Sequence, residues 1–131
     1  MKIKLYKLES YIKNLNTLTK RILPAKLSYA ISRNTKLLVE EYQTMAEERQ
    51  KILEKHCLRD ENGKPALKDN AYTYADDELK NAAIKEQTEL LETEIEVDIM
   101  VVPVSILEKC EEGRFDVLTV EEVSMLDFMI G

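Results

Sequence analysis

The sequence has few of the residues on which catalytic and metal sites depend. It contains no tryptophan, one histidine, His56, and two cysteines, Cys57 and Cys110. A structural zinc site takes four ligands, which one histidine and two separated cysteines do not supply. His56 and Cys57 are adjacent, but neighbouring residues of a helix do not face each other, so they form no catalytic dyad by adjacency. The sequence therefore predicts no catalytic residues, no metal site and no cofactor, and so a protein that is not an enzyme.

Long apolar runs, glycines and prolines are also scarce. The longest apolar run covers residues 99–104, far short of the roughly 20 residues that a membrane-spanning helix needs. Lysines interrupt the apolar residues at the N-terminus, which is not the pattern of a signal peptide. With three glycines and three prolines, little of the chain can serve as linker. We therefore expect one domain over residues 1–131, located in the cytoplasm, with the two cysteines either free or joined in one disulfide.

Charge is abundant but unevenly distributed along the chain. Residues 1–36 carry nine basic residues and one acidic residue, a net charge of +8. Residues 37–131 carry ten basic and 24 acidic residues, a net charge of −14, so the whole chain has a net charge of −6. Such asymmetry often marks an interaction surface, although two parts that pack on each other or are merely solvated give the same pattern. The negative total argues against duplex nucleic acid as a partner.

Apolar residues at helical spacing predict three main helices, over residues 9–19, 24–56 and 76–92. Pro24 suits the first turn of the second helix, because its missing N–H has no helical partner there. Two further helices are predicted, a short one and a final one that runs to about Met129. Each begins at a capping-box pattern, one at Ser105–Glu108 and the other at Thr119–Glu122.

Two segments alternate between apolar and charged residues, as strands do. The clearer one covers residues 94–102, and a shorter one contains Ile3 and Leu5. The acidic face of the first can lie across from the lysines of the second, which would pair opposite charges. Asn62-Gly63 favours the positive φ values of a tight turn, which can close a small hairpin in the loop 57–70. The sequence therefore predicts a helix-rich α+β fold: a long central helix, three or four further helices and a small sheet of two or three strands.

The helix predicted over residues 24–56 is long for a domain of this size. About 32 residues at 1.5 Å per residue span roughly 48 Å, more than the diameter implied by a radius of gyration of about 14 Å. We therefore expect either a kink or a second chain that covers part of the apolar stripe, which would make a homo-oligomer. Asn34, Glu41 and Arg49 interrupt that stripe. We expect Asn34 and Arg49 to contact a partner chain or a buried carboxylate such as that of Glu41.

One group of basic and aromatic residues has the spacing of a binding surface. Its members follow one another at intervals of three, four and three residues, so they share one face of the long helix, nearly opposite its apolar stripe: Lys26, Tyr29, Arg33 and Lys36. Lys20 and Arg21 precede them. Arginine can donate two hydrogen bonds to one phosphate, lysine can add a point charge and tyrosine can stack on a base. These six residues are the predicted ligand-binding site for an anionic, nucleotide-like molecule; the alternative is a solvated face with a lone tyrosine.

Several segments carry a resemblance that spans most of the chain: Lys4–Ser10, Leu23–Tyr29, Glu47–Lys51, Asp60–Lys64, Glu92–Val97 and Leu118–Phe128. Their order resembles that of small uncharacterised proteins encoded by phages and prophages of Gram-positive bacteria. The resemblance implies a viral setting and the cytoplasm of an infected bacterium. It implies no chemistry and supplies no active residues.

Two functions fit a small, non-enzymatic phage protein. One is counter-defence, in which an oligomer sequesters a nucleotide-derived immune signal on the basic and aromatic face. The other is virion morphogenesis, in which a tail, connector or chaperone component contacts a phage structural protein and needs only the long helix and the uneven charge. Because the basic and aromatic residues share a face, we favour an accessory protein that binds a small anionic ligand.

Overall fold

The long helix α2 is the axis of the fold. The structure, a computed structural model, describes residues 1–131. α2 runs continuously from Ala25 to His56, and no glycine or proline interrupts it. The other helices are α1 (Leu8–Leu18), α3 (Asp77–Leu91), α4 (Ser105–Lys109) and α5 (Val120–Leu126), with 3-10 turns at Leu5–Lys7 and Asp127–Met129. α1 and α3 both pack against α2. Five α-helices and two small antiparallel sheets confirm the predicted helix-rich α+β fold.

The first sheet pairs strands from opposite ends of the sequence. β1 (Lys2–Lys4) lies antiparallel to β4 (Glu94–Glu96), and Lys2 faces Glu96 while Lys4 faces Glu94. This register confirms the predicted pairing of a lysine-rich strand with an acidic one. Two ion pairs of 3.0 Å flank the sheet, one from the Met1 ammonium group to Glu96 and one from Lys4 Nζ to Glu92.

β4 is shorter than the strand predicted over residues 94–102. The Val97 N–H donates to the Met1 carbonyl at 2.8 Å, and the pairing with β1 ends there. Farther along, the Val102 N–H donates to the Met129 carbonyl, and the Gly131 N–H donates to the Val102 carbonyl, both at 2.9 Å. The alternating pattern therefore continues past β4 without a ladder, because the backbone of this segment bonds to other parts of the chain.

Asn34 interrupts the apolar stripe of α2 and is fully buried. Its Oδ1 accepts from the Met100 N–H at 2.8 Å, and its Nδ2 donates to the Met100 carbonyl at 3.0 Å. The expectation that Asn34 contacts a carboxylate or a partner chain was wrong, since both ends of its amide are satisfied by the backbone of Met100. An amide can serve a backbone N–H and C=O at once, as a neighbouring strand would.

α3 covers the second half of α2. Oriented toward the guanidinium, the side-chain oxygen of Gln87 accepts from Nε and Nη2 of Arg49 at 2.8 and 3.1 Å. Glu86 lies 2.8 Å from Lys55 Nζ and 3.2 Å from His56 Nε2. Arg49 is exposed and its partner is an amide, so the expected contact with a buried carboxylate was wrong. Because this chain itself covers the far end of α2, the length of the helix does not require a second chain, and the homo-oligomer stays a prediction.

The loop between α2 and α3 contains two turns. Asp60 Oδ1 accepts from the backbone N–H groups of Asn62 and Lys64, and Gly63 has a φ of +77°, which confirms the turn predicted at Asn62-Gly63. The second turn, at residues 69–70, was not predicted. It joins the short strands β2 (Leu67–Lys68) and β3 (Ala71–Tyr72), and its φ values of 53° and 62° fall on Asp and Asn, which tolerate this region better than most residues.

The two predicted capping boxes had different outcomes. The Thr119 hydroxyl accepts from the Glu122 N–H, and the Glu122 carboxylate accepts from the Thr119 N–H, so the box that opens α5 is confirmed. The box at Ser105–Glu108 was wrong, although a helix does begin there. Ser105 is already the first helical residue, and Val104, which cannot cap with its side chain, precedes it.

The core combines the N-terminal part of the chain, through the first two-thirds of α2, with the C-terminal segment. Cys110 is buried within it and Cys57 is partly buried, and both are free thiols, which settles the question left open by the sequence. The buried cluster combines residues of the N-terminal segment, of α2 and of the C-terminal segment: Ile3, Leu5, Leu8, Leu15, Leu18, Leu23, Leu27, Ala30, Ile31, Leu38, Met45, Val97, Val102, Ile106, Cys110, Leu126 and Met129.

Two paired contacts hold the connection between α1 and α2 against α5 and the segment before it. The Arg21 guanidinium donates to both oxygens of Glu122, at 3.0 Å from Nε and 2.7 Å from Nη2. The Ile22 N–H donates to the Asp116 carboxylate, and the Asp116 N–H donates to the Ile22 carbonyl. The entry to α2 is therefore held in place by partners about a hundred residues away in sequence.

Replacing Asn34 should destabilise the fold strongly. In Asn34→Ala, the N–H and the carbonyl of Met100 lose their partners, which costs about 1–3 kcal/mol for each buried group left unsatisfied. Asn16→Ala is the matched control, because Asn16 is exposed on α1 and its side chain forms no hydrogen bond. Urea denaturation should show a clearly lower free energy of unfolding for Asn34→Ala than for Asn16→Ala. Equal values for the two variants would contradict the role given to Asn34.

Glu122 should make the stability depend on acid pH. The Thr119 N–H, and after it the Arg21 guanidinium, lower the pKa of Glu122 despite its partial desolvation. Ionised Glu122 therefore stabilises the folded state above the unfolded pKa, which is about 4.3 for a glutamate, and this contribution is lost as the pH falls through the lower folded value. We expect Glu122→Gln to unfold more easily than the wild type at pH 7, with a difference that shrinks toward pH 3. Glu121→Gln, at an exposed position of the same turn, is the control; a difference for Glu122→Gln that does not change with pH would contradict this account.

Candidate functional site

The face of α2 that points away from the core carries the candidate site. With 100° between successive residues, positions 25, 28, 29, 32 and 36 fall on one side of the helix. The buried residues Leu27, Ala30 and Ile31 lie on the other side. Two clefts open along this outward face, one beside the first turns of the helix and the other one to two turns farther on.

The larger cleft, of about 670 Å³, lies between the start of α2 and the segment around α4. Its charged lining residues, Lys109 and Arg114, are both basic. Phe115 and Tyr29 contribute aromatic rings, and the remaining lining residues are small or apolar: Leu23, Pro24, Ala25, Ser28 and Ser32. The cleft thus combines positive charge, hydroxyl groups and two ring faces.

The smaller cleft, of about 340 Å³, is lined by Tyr29, Ser32, Arg33 and Lys36. Tyr29 and Ser32 line both clefts, so the two are neighbours along the helix. We call the pair of clefts the α2 groove. Tyr29 is 63% exposed and lies where the two clefts meet, with basic residues on both sides.

Two of the four cations in the α2 groove have carboxylate neighbours. Arg33 Nη2 lies 3.8 Å from Asp98 Oδ2, and Arg114 Nη2 lies 3.2 Å from Glu112 Oε2. Both carboxylates are well exposed, and ion pairs of this kind contribute little, so a ligand can replace them. The other two cations, Lys36 and Lys109, form no ion pair.

The N-terminus of α2 adds partial positive charge to the larger cleft. Pro24 precedes the first helical residue and offers no side-chain cap, and no side chain accepts from the free N–H groups of the first turn. Uncapped N–H groups and the helix dipole both favour an anion at such an end. Pro24 and Ala25, at the start of this helix, line the cleft.

The structure brings together three of the six predicted site residues. Tyr29, Arg33 and Lys36 line the α2 groove. Lys26 is exposed but lines neither cleft, because it lies at the edge of this face of the helix. Lys20 is exposed in the connection between α1 and α2 and also lies outside both clefts.

Arg21 is the predicted residue whose environment differs most from the prediction. Its guanidinium holds both oxygens of Glu122, whose side chain is largely buried. A bidentate pair of this kind is strong and fixed in orientation. Arg21 therefore has a structural partner and lies outside both clefts.

Sequence reasoning missed Lys109, Arg114 and Phe115. They lie more than 70 residues beyond the basic stretch of α2, within a strongly acidic part of the chain. The one local signal is the run Gly113-Arg114-Phe115, which places a cation beside an aromatic ring after a glycine. Only the folded chain shows that this run faces Tyr29 across a cleft.

The α2 groove offers cations, hydroxyl groups and rings, and no carboxylate, imidazole or thiol lines it. Such a set can bind an anion and stack on a planar group, and it lacks the usual proton-transferring pairs of hydrolytic sites. Elsewhere in the chain, no three or more His, Cys, Asp or Glu side chains converge as metal ligands. No helix combines the length and the apolar character that crossing a membrane requires.

Comparisons with known proteins found no match to this chain among family models, curated proteins or solved structures.

Proposed function

We propose that this protein is a non-enzymatic phage accessory protein that sequesters a small, nucleotide-derived anion in the α2 groove, as a counter-defence protein in the cytoplasm of the infected bacterium. One observation carries the proposal: the exposed ring of Tyr29 lies between two clefts whose charged lining residues are all basic. The viral setting comes from the resemblance of the sequence, and the ligand class comes from the groove.

Tyr29 supports an aromatic ligand. An exposed tyrosine ring is stabilised when another planar group stacks on it. Stacking of a base on an aromatic side chain contributes about 1–3 kcal/mol to binding. Tyr29 has no aromatic partner within the chain, whereas Tyr11 is in edge contact with Phe128. Its ring therefore remains available to a ligand.

The cations support an anionic ligand. Lys36 and Lys109 form no ion pair, and the partners of Arg33 and Arg114 are exposed carboxylates that a phosphate can replace. Charge-assisted hydrogen bonds to phosphate are stronger than neutral ones, and arginine can make two at once. A ligand with both a base and a phosphate uses the ring and the cations together, whereas a neutral sugar or an apolar molecule leaves the cations without a partner.

A second function, virion assembly, is supported by a different surface. Ile22, Val117 and Val120 are exposed apolar residues. The backbone pairing of Ile22 with Asp116 brings the first two into one region, and α5 begins at Val120. Exposed apolar residues that lie together can mark a contact with another protein. A tail or connector protein of the phage is the partner that this alternative implies.

The test is calorimetric titration of the wild type and of Tyr29→Ala against cyclic dinucleotides and cyclic ADP-ribose isomers. We expect at least one ligand to bind the wild type, and Tyr29→Ala to bind it about five- to 150-fold more weakly, which corresponds to a loss of about 1–3 kcal/mol. Melting temperatures should stay within a few degrees, because Tyr29 is exposed.

Tyr6→Ala is the matched control, since Tyr6 is 48% exposed and lies outside both clefts. It should bind as the wild type does. If no ligand of the panel produces either heat of binding or a change in melting temperature, the counter-defence proposal is rejected. Virion assembly would then be the better-supported function.

A further inference from the structure

The two clefts of the α2 groove are neighbours along the helix. Tyr29 and Ser32 line both of them. From Ala25 to Lys36 the helix rises about 16 Å, at 1.5 Å per residue. A site of that length is longer than one phosphate with its base requires.

The four cations of the α2 groove divide between its two clefts. Lys109 and Arg114 line only the larger cleft. Arg33 and Lys36 line only the smaller one. Tyr29 and Ser32 line both. A ligand that matches the whole groove therefore carries anionic groups on both sides of a planar group.

From this arrangement we infer that the ligand contains two separate phosphoryl groups with a nucleobase between them, as two nucleotides joined by a phosphodiester do. This inference rests on the proposed function and narrows its ligand class. A mononucleotide has one anionic end, so it satisfies one pair of cations and leaves the other pair in water. A two-phosphate ligand engages both pairs while its base covers Tyr29.

The experiment compares ligands and variants together. Titration calorimetry would use a cyclic dinucleotide, a linear 5′-phosphorylated dinucleotide and the corresponding mononucleotide, each with the wild type, Lys36→Ala and Lys109→Ala. Lys13→Ala is the matched control, because Lys13 is an exposed helical lysine on α1 without an ion pair. The two groove lysines are also exposed and form no ion pair, so all three variants should melt as the wild type does.

The expected result has three parts. A dinucleotide should bind the wild type at least tenfold more tightly than the mononucleotide. Lys36→Ala and Lys109→Ala should each weaken dinucleotide binding about tenfold or more, as the loss of a charge-assisted contact does. Mononucleotide binding should respond to one of these two variants only. Preference for the cyclic form would identify a free signal molecule as the ligand, and preference for the linear form would identify the end of a single strand; both support the inference.

Two results would overturn the inference, and they differ in what they say about the proposed function. If the mononucleotide binds as tightly as either dinucleotide and one lysine variant has no effect on any ligand, the site has one anionic end. The inference then fails while the proposed function stands. If no nucleotide binds at millimolar concentration, both fail.

Discussion

Asn34 fills a fully buried position in the middle of the apolar stripe of α2, and it bonds to both backbone groups of Met100. A buried amide in that position is costly unless all its polar atoms have partners, so it selects the one packing in which Met100 lies against it. That packing fixes the segment that follows β4, and Val102 in turn pairs with the last residues of the chain. The C-terminal segment thereby closes over the inner face of α2, and the outer face remains uncovered.

The uncovered face of α2 carries the ligand site that we propose. α1, α3 and the C-terminal segment bury its opposite side, and the contacts of Arg21 and Ile22 hold its start in place. A groove built on such a helix is already formed before a ligand arrives, and its Tyr29 ring needs no rearrangement of the backbone. Preorganisation of this kind lowers the entropy cost of binding, which matters for a site open to solvent.

Periodicity and turn chemistry predicted the elements well, because these signals are local. The bounds of α2, the cap at Thr119 and the lysine–glutamate register of the β1–β4 pair are confirmed by the structure. Such local signals do not predict contacts between residues that are far apart in the sequence. Asn34 was expected to meet a charge and meets a backbone 66 residues away. Lys109 and Arg114 join the groove only because the chain folds back over α2, and nothing in their immediate sequence places them there.

The net charge of −6 constrains the kind of ligand that the proposed site in the α2 groove can select. A negative protein repels anions at long range, and at physiological ionic strength charges beyond about 8 Å are largely screened. Attraction must therefore come from direct contact with the four groove cations, two of which first have to exchange Asp98 or Glu112 for the ligand. A ligand that makes a single weak contact gains little binding free energy from that exchange. A ligand that engages several cations at once and also covers Tyr29 overcomes both the repulsion and the exchange, so the same electrostatics that weaken binding of simple anions favour larger, aromatic ones.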